Sequence, residues 1–303
     1  MAKHYQGSAA TVDVTDSTGS EQYFIPQIWS DGIYKFFERK TVFRGLVDDY
    51  SPLVQEKGYG DIVHIPEMSI ISASAKGAGA DVSYDATATT ETQLSLNKHK
   101  YVAKLFEDVA LIQSEADLVE KYARMMGEAL ARQVDADIWA ELDGLNQSQD
   151  LSADNTLNAA TFEAALATLG ENDVPYMDGE CAMVVNPTLF ADILNPSAGI
   201  AQYFIRNDAV GEGNKGLRSG MVGSLYGIDV YMSNTVSSAL TDGTVAGAIF
   251  HRSACAFASQ QEVRVQSEYS IDALGTKVVS DLLYGAKLID DSDNIKGVAF
   301  ANI

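Results

Sequence analysis

Residues 115–143, EADLVEKYARMMGEALARQVDADIWAELD, read as one amphipathic helix, because Leu118, Val119, Tyr122, Met125, Met126, Ala129 and Leu130 recur at three- and four-residue intervals. That spacing predicts a buried face with Leu118, Tyr122, Met125 and Ala129 among its core positions. Asp117, Lys121, Arg124, Glu128, Arg132 and Asp135 lie opposite and form a ladder of mixed charge suited to water or to another charged surface. Ser114 suits an N-cap, Glu115 and Asp117 suit the first turn, and Gly144 suits the position after the last turn. Such a rod would be roughly 43 Å long at about 1.5 Å per residue, well beyond an ordinary globular helix, so something large must lie along it. Beyond Val134 the apolar side is expected to turn, since Val134, Ile138, Trp139 and Leu142 are placed on a different face, and this predicts a second partner for the last turns.

The composition sets the class of molecule. A chain of 303 residues holds about two domains, each able to build a core without metal or disulfide staples. Hydrophobic residues at 46% and charged residues at 21% describe a folded protein, and 24 glycines against six prolines predict many turns. The net charge of -21 argues against sequence-independent binding to a nucleic-acid backbone, which needs a surplus of Lys and Arg. Cys181 and Cys255 are the only cysteines, and their setting demands no disulfide, so a reduced intracellular state is the default expectation. Residues 1–20 lack the apolar core of a signal peptide, and no run reaches transmembrane length, so synthesis in the cytoplasm and no membrane contact are expected.

Outward from the helix, the chain divides into distinct textures. Residues 1–22 are small and polar and predict an N-terminal arm. Pro26 fits the first position of a short helix to about Lys40, with Ile28, Trp29, Ile33, Phe36 and Phe37 as contacts. Residues 58–66, GYGDIVHIP, predict a strand with Val63 and Ile65 on one face and Ile62 and His64 on the other. Residues 72–90, SASAKGAGADVSYDATATT, have few large apolar groups and cannot bury much surface in their own subunit, so they should project; a return strand is expected at 92–105. After the long helix come a helix at 160–169, a strand at 181–185, a helix at 187–194, a glycine-rich loop at 208–224 and strands at 227–232 and 246–251. Residues 263–265 and 277–289 should return as strands to the long helix, which makes the middle lobe an insertion.

In their order along about 280 residues, several of these landmarks resemble the major capsid proteins of tailed bacteriophages, with short-tailed T7-type phages as the suggested kin. They are Ile28-Trp29-Ser30-Asp31, Val42 to Val47, Gly58 to Pro66, Phe106-Glu107-Asp108, Ser114, Asp117-Leu118, Ala129-Leu130-Ala131, Val134-Asp135-Ala136-Asp137, GIDVYMSN at 227–234 and DLLYGAKLI at 281–289. The resemblance implies an α+β HK97-like capsid fold with a long spine helix, an extended E-loop hairpin, and peripheral and axial domains. Its domains would be an arm with a short helix at 1–57, the E-loop at 58–104, a peripheral domain at 105–165 and 260–303 with the spine helix at 115–143, and an axial domain at 166–259. It further implies an icosahedral head shell of hexamers and pentamers enclosing double-stranded DNA, in the virion after assembly in the host cytoplasm. Lys76, Gly77, Gly79 and Tyr84 would then sit on the E-loop and reach a neighbouring subunit. The implied partners are further copies of the chain, a portal protein and decoration proteins. A separate scaffolding protein is also expected, since the chain starts too close to Phe24 for a large N-terminal scaffold. Some members of this fold crosslink subunits through an E-loop lysine, but no motif around Lys76 matches, and a solvated lysine is the reading here.

Nothing in the sequence spells out catalysis, a cofactor or a metal. Gly211, Gly213 and Gly216 form a GxGxxG, yet Glu212 would face the phosphate and the glycine content after it disfavours a helix, so a loop is expected. His251 and Cys255 are four residues apart on a strand, and a structural role is expected for both. His64 and His99 could face each other across the hairpin, although ordinary polar positions are the simpler reading. Asp290, Asp291, Asp293 and Asn294 lack the glycine and terminal glutamate of an EF-hand and read as a turn. The rival readings are an encapsulin-type shell holding a cargo enzyme, a soluble protein with a ligand pocket in the inserted lobe, and, last, an enzyme.

Overall fold

The helical periodicity is realised as α2, Leu118–Leu142, a rod of about 37 Å. In the computed structural model the described residues are 33, 41–57, 60–68, 73, 75–77, 79, 81, 89–108, 118–151, 156–201, 203–206, 221–236, 244–289 and 295–302. The expected arm, most of the first short helix, the Ser114 cap and the side chain of Leu118 lie outside them. The rod buries Met126, Leu130, Val134, Ile138 and Leu142, one residue every four, beside a second column of Ala123, Ala131 and Trp139. Two such columns make a single stripe, and each large side chain in it stabilises by about 1.5–3 kcal/mol. The stripe corrects two expectations. Met125 is 61% exposed and Ala129 is exposed, because each stands one residue, about 100° of rotation, back from Met126 and Leu130. The apolar side does not turn at Val134 either, since the same column runs through to Leu142.

What lies along the rod is a four-stranded sheet in the order β1 (Asp48–Asp49), β11 (Cys255–Ser270), β12 (Gly275–Leu288), β4 (Lys98–Glu107). Beta-11 and β12 form a long antiparallel hairpin that contains the two strand-like stretches expected at 263–265 and 277–289, and β4 pairs antiparallel with β12 from Lys98 opposite Tyr284 to Glu107 opposite Gly275. Phe106 on β4 meets Tyr122 of α2 edge to face at 5.0 Å. Helix α1, Ser51–Lys57, follows β1 and shares a small core, through Val54, with Ala256 and Ala258 of β11.

The second lobe is a seven-stranded mixed sheet, ordered β5 (Ser148–Asp150), β13 (Gly297–Ala301), β10 (Val245–His251), β6 (Cys181–Val185), β9 (Ile228–Met232), β8 (Met221–Leu225), β7 (Phe204–Arg206). Helices α3 (Ala159–Glu171) and α4 (Pro187–Leu194) contribute to the core on one side of it. Both start where the sequence supplies a cap: the Asn158 side chain accepts the Thr161 N–H at 2.9 Å, and Asn186 accepts the Leu189 N–H at 2.7 Å, with Pro187 as first residue. Every residue of β6 is buried because Met183 and Val185 face these helices while Val184 joins the core that contains Trp139 and Leu142 of α2. The final strand departs from the expected domain boundary at 260–303. Beta-13 belongs to the seven-stranded sheet, held between β10 and β5, and Gly297 lets its backbone pass close to β10: an added Cβ would lie 2.9 Å from a Leu145 methyl and 3.1 Å from the Ile249 carbonyl oxygen. Conversely β11 starts at Cys255, so residues 255–259 belong to the four-stranded sheet and not to the inserted lobe.

The loop expected at 58–104 begins as an antiparallel hairpin of β2 (Ile62–Met68) and β3 (Thr89–Ser95), with Ile62 opposite Ser95 and Met68 opposite Thr89. The single return strand expected at 92–105 is instead two, β3 and β4, separated by Leu96 and Asn97, because the chain there leaves the hairpin and joins β12. The expected loop at 208–224 also gives way to strand β8 from Met221.

Gly285 on β12 lies directly beneath this junction, where an added Cβ would overlap the Ser95 carbonyl oxygen and approach its carbon at 3.0 Å. Gly285→Ala should therefore lower the urea-unfolding free energy by about 1–3 kcal/mol and displace the hairpin root. An unchanged unfolding midpoint would show that the root does not rest on β12.

Candidate functional site

Among the described residues, the hairpin and the entering segment at residues 41–50 both pack on the four-stranded sheet. The buried contacts of the described hairpin residues lie at its root. Ile65, Leu94 and Leu96 are buried with Val54, Ala256, Ala258 and Ile289, while Ile62 and His64 face outward, as the alternation in GYGDIVHIP predicts. His64 contacts Glu91 across the two strands at 3.2 Å. The Gln93 side chain and then His64 hold the Glu91 carboxyl below its ordinary range. Between the strands, Ala73, Ala75, Lys76, Gly77, Gly79 and Asp81 are all exposed, with Gly79 at φ +81°. Tyr84 lies outside the described residues. His99 does not face His64; it sits on β4, within 3.1 Å of Asp281 on β12.

The entering segment is clamped from two sides. Phe43, the first residue of a short 3-10 turn (Phe43–Leu46), is buried against Trp139 of α2 with ring centroids 5.7 Å apart. Arg44 donates two hydrogen bonds to Glu262 of β11, at 2.8 and 3.2 Å, with its guanidinium 5.3 Å from the Phe257 ring centroid. Beta-1 then pairs parallel with β11, and Arg252 meets Asp48 at 3.2 Å. Asp135 of α2, which the charge ladder placed on the solvated face, is 4% exposed and accepts the Val42 and Phe43 N–H groups at 3.0 and 3.2 Å. Burial pushes its carboxyl up to about 7 against the lowering effect of those two bonds.

Asp281 ties three strands together. It accepts from Arg264 at 3.1 and 2.7 Å and from Gln261 at 3.0 Å, and contacts His99. Gln261 and Arg264 flank a register shift in β11, while His99 reaches across from β4. Burial would raise this carboxyl, but the Arg264, His99 and Gln261 bonds outweigh it and hold the group below the usual carboxylate range.

The residues considered for chemistry do not converge. Cys255 is fully buried and Cys181 nearly so, and burial pushes both thiols up to about 12, which makes them poor nucleophiles. His251 turns away from Cys255 chemistry toward Asp178 and Glu180, at 3.4 and 3.6 Å from Nε2. These three residues are the one grouping with metal-ligand character among those described, and their separation in sequence hid it. Nδ1 of His251 accepts the Ser253 N–H, however, so in the neutral ring Nε2 carries the proton and donates toward the carboxylates; a metal would need its lone pair. The glycines at 211, 213 and 216 and the acidic turn at 290–294 lie outside the described residues. No helix among the described residues is long and apolar enough to cross a membrane.

Asp281→Ala should cost about 2 kcal/mol of stability at neutral pH. The sign follows from the depressed folded pKa: the contribution is present above the unfolded value near about 3.9 and is lost as pH falls through the lower folded value. Urea unfolding of both proteins at pH about 7 and about 3 should show the difference shrinking in acid; a constant difference would mean that Asp281 acts through volume alone.

Comparisons with known proteins agree with this architecture. The chain superposes on a chain from Mycobacterium phage Che8 with a TM-score of 0.62 at 26% identity, covering 86% of this chain and 91% of the other. It is similar in fold to the capsid of Ralstonia phage GP4, with a TM-score of 0.65 at 12% identity and coverage of 84% and 86%. The capsid of the cyanophage P-SCSP1u gives 0.61 at 17% identity, covering 86% and 88%. No curated protein sequence matches. The profile of the phage capsid protein family matches residues 105–296, which span the spine helix, most of both sheets and the hairpin of β11 and β12; the α+β architecture is HK97-like, and the chain belongs to the phage capsid protein family.

Proposed function

We infer that this chain is the major capsid protein of a tailed phage, whose work is to associate with copies of itself into the icosahedral head shell around double-stranded DNA. The observation that carries the reading, beside family membership, is the hairpin. Its root is buried at Ile65, Leu94 and Leu96, whereas the described residues between its strands, 73, 75–77, 79 and 81, are all exposed and few large apolar groups stand in the sequence there. A neighbouring subunit supplies the surface for them. In this reading residues 58–104 are the E-loop; Lys76, Gly77, Gly79 and Tyr84 reach the neighbour; the lobe of α2 is peripheral and the seven-stranded lobe axial. Heterologous contacts of this kind close into rings, here hexamers and pentamers. The net charge of -21 suits an inner wall that must not hold packaged DNA.

The role is structural and not catalytic, consistent with thiols that burial keeps protonated. A separate scaffolding protein, a portal protein and decoration proteins are the proposed partners, with assembly in the host cytoplasm before the protein resides in the virion. The order of landmarks from Ile28 to Ile289 supports kinship with short-tailed T7-type phages. An encapsulin-type shell is less favoured because the matching family profile is that of phage capsid proteins.

Replacing residues 72–88 by a short turn should leave the subunit folded, with an unchanged circular-dichroism spectrum, and should abolish closed shells in negative-stain electron microscopy. Normal particles from that variant would remove the E-loop from the assembly mechanism.

A further inference from the structure

Asp135 is buried to 4% exposure, and among the described residues it accepts two backbone N–H groups, those of Val42 and Phe43. Several described charged groups on the elements around it are engaged elsewhere. On the entering segment Arg44 reaches Glu262 of β11 and Asp49. On β4, Lys98 reaches Glu141 and Lys100 reaches Asp137, both on α2, while Tyr284 of β12 donates its phenol to Asp137. Arg132, one turn earlier on α2, is exposed. The Asp135 side chain therefore joins the spine helix to the N-cap and first residue of the 3-10 turn, Val42 and Phe43.

We propose that Asp135 is a proton-operated latch that closes the segment at 41–47 onto the spine helix as the solution turns from alkaline to mildly acid. The geometry sets the sign. With the segment docked, a proton on Asp135 relieves the cost of a dry carboxylate, and the remaining carbonyl oxygen still accepts an N–H bond. With the segment lifted, water reaches the group and its proton affinity returns to that of an ordinary aspartate. The docked form thus binds the proton more tightly, so acid favours docking and ionisation favours release. The docked pKa of about 7 and an undocked value near about 3.9 set the window: opening falls about tenfold per pH unit below about 7 and is level above it. The inference concerns contacts within one subunit and stands whether or not the shell reading holds.

Hydrogen–deuterium exchange on the full chain between pH about 5.5 and 8.5, corrected for intrinsic exchange, reads the latch at the Val42 and Phe43 amides. The expected result is protection that rises at least about tenfold from pH 8 to 5.5, while amides of β12 stay level, and that becomes pH-independent in Asp135→Asn. Flat protection in the wild type would overturn the proposal, and so would an unchanged rise in the variant. Should Asp135→Asn fail to fold, the wild-type comparison of residues 41–47 with β12 decides alone.

Discussion

The contact on which this subunit depends is the single apolar stripe of α2 against its surroundings. Met126, Leu130, Val134, Ile138 and Leu142 face inward over about five turns, and the neighbours they find come from both ends of the chain. Strand β4 and the hairpin of β11 and β12 lie along the helix; Phe43 from the entering segment and Val184, Ala248 and Phe250 from the second lobe join the same core. A chain with one stripe shared by two sheets cannot loosen one lobe without disturbing the other. This explains why the N-terminal segment at 41–50, the β4 strand and the C-terminal strand all converge on the same rod despite their distance in sequence.

Against that stiff body the hairpin of β2 and β3 is a cantilever. Its root is fixed by a small satellite core and by the close approach at Gly285, and its described outer residues have no such support. The contrast is what a shell subunit needs. In the proposed reading, a stiff body preserves the angle between neighbours, and the segment between β2 and β3 gains its contacts from another copy. Single contacts of this kind are weak, but a closed shell repeats them in every subunit, and closure leaves few unpaired. The acidity of the chain adds long-range repulsion between copies that such contacts and counter-ions must offset, which makes assembly sensitive to ionic strength.

Much of this was legible in the sequence, for definite reasons. Periodicity located α2, helices α3 and α4 and the three strands β6, β9 and β10 of the second lobe, where the apolar runs are clear; the shorter strands β5, β7, β8 and β13 carry too little pattern of their own. Alternation placed Ile65 and His64 on opposite faces, and the structure buries the first and exposes the second. The width of the α2 stripe was not legible: Met125 and Ala129 are as apolar as their neighbours, and only the shape of the sheet decides that they stay uncovered. Asp135 was misplaced on the charged face because its partners are backbone N–H groups 92 and 93 residues earlier, which leave no side-chain signal. The placement of β13 was equally hidden, since a short apolar strand fits either sheet and its neighbours β10 and β5 are set by tertiary contacts. The node at Asp281 and the grouping of His251 with Asp178 and Glu180, from the turn before β6, likewise arise from segments brought together by folding.

The most direct test is electron cryomicroscopy of the intact chain expressed with and without a scaffolding protein from the same genome. The account predicts closed icosahedral particles of hexamers and pentamers, in which residues 72–88 of each subunit rest on the next. Monodisperse monomers or dimers under both conditions, or shells in which that segment touches only its own subunit, would contradict it.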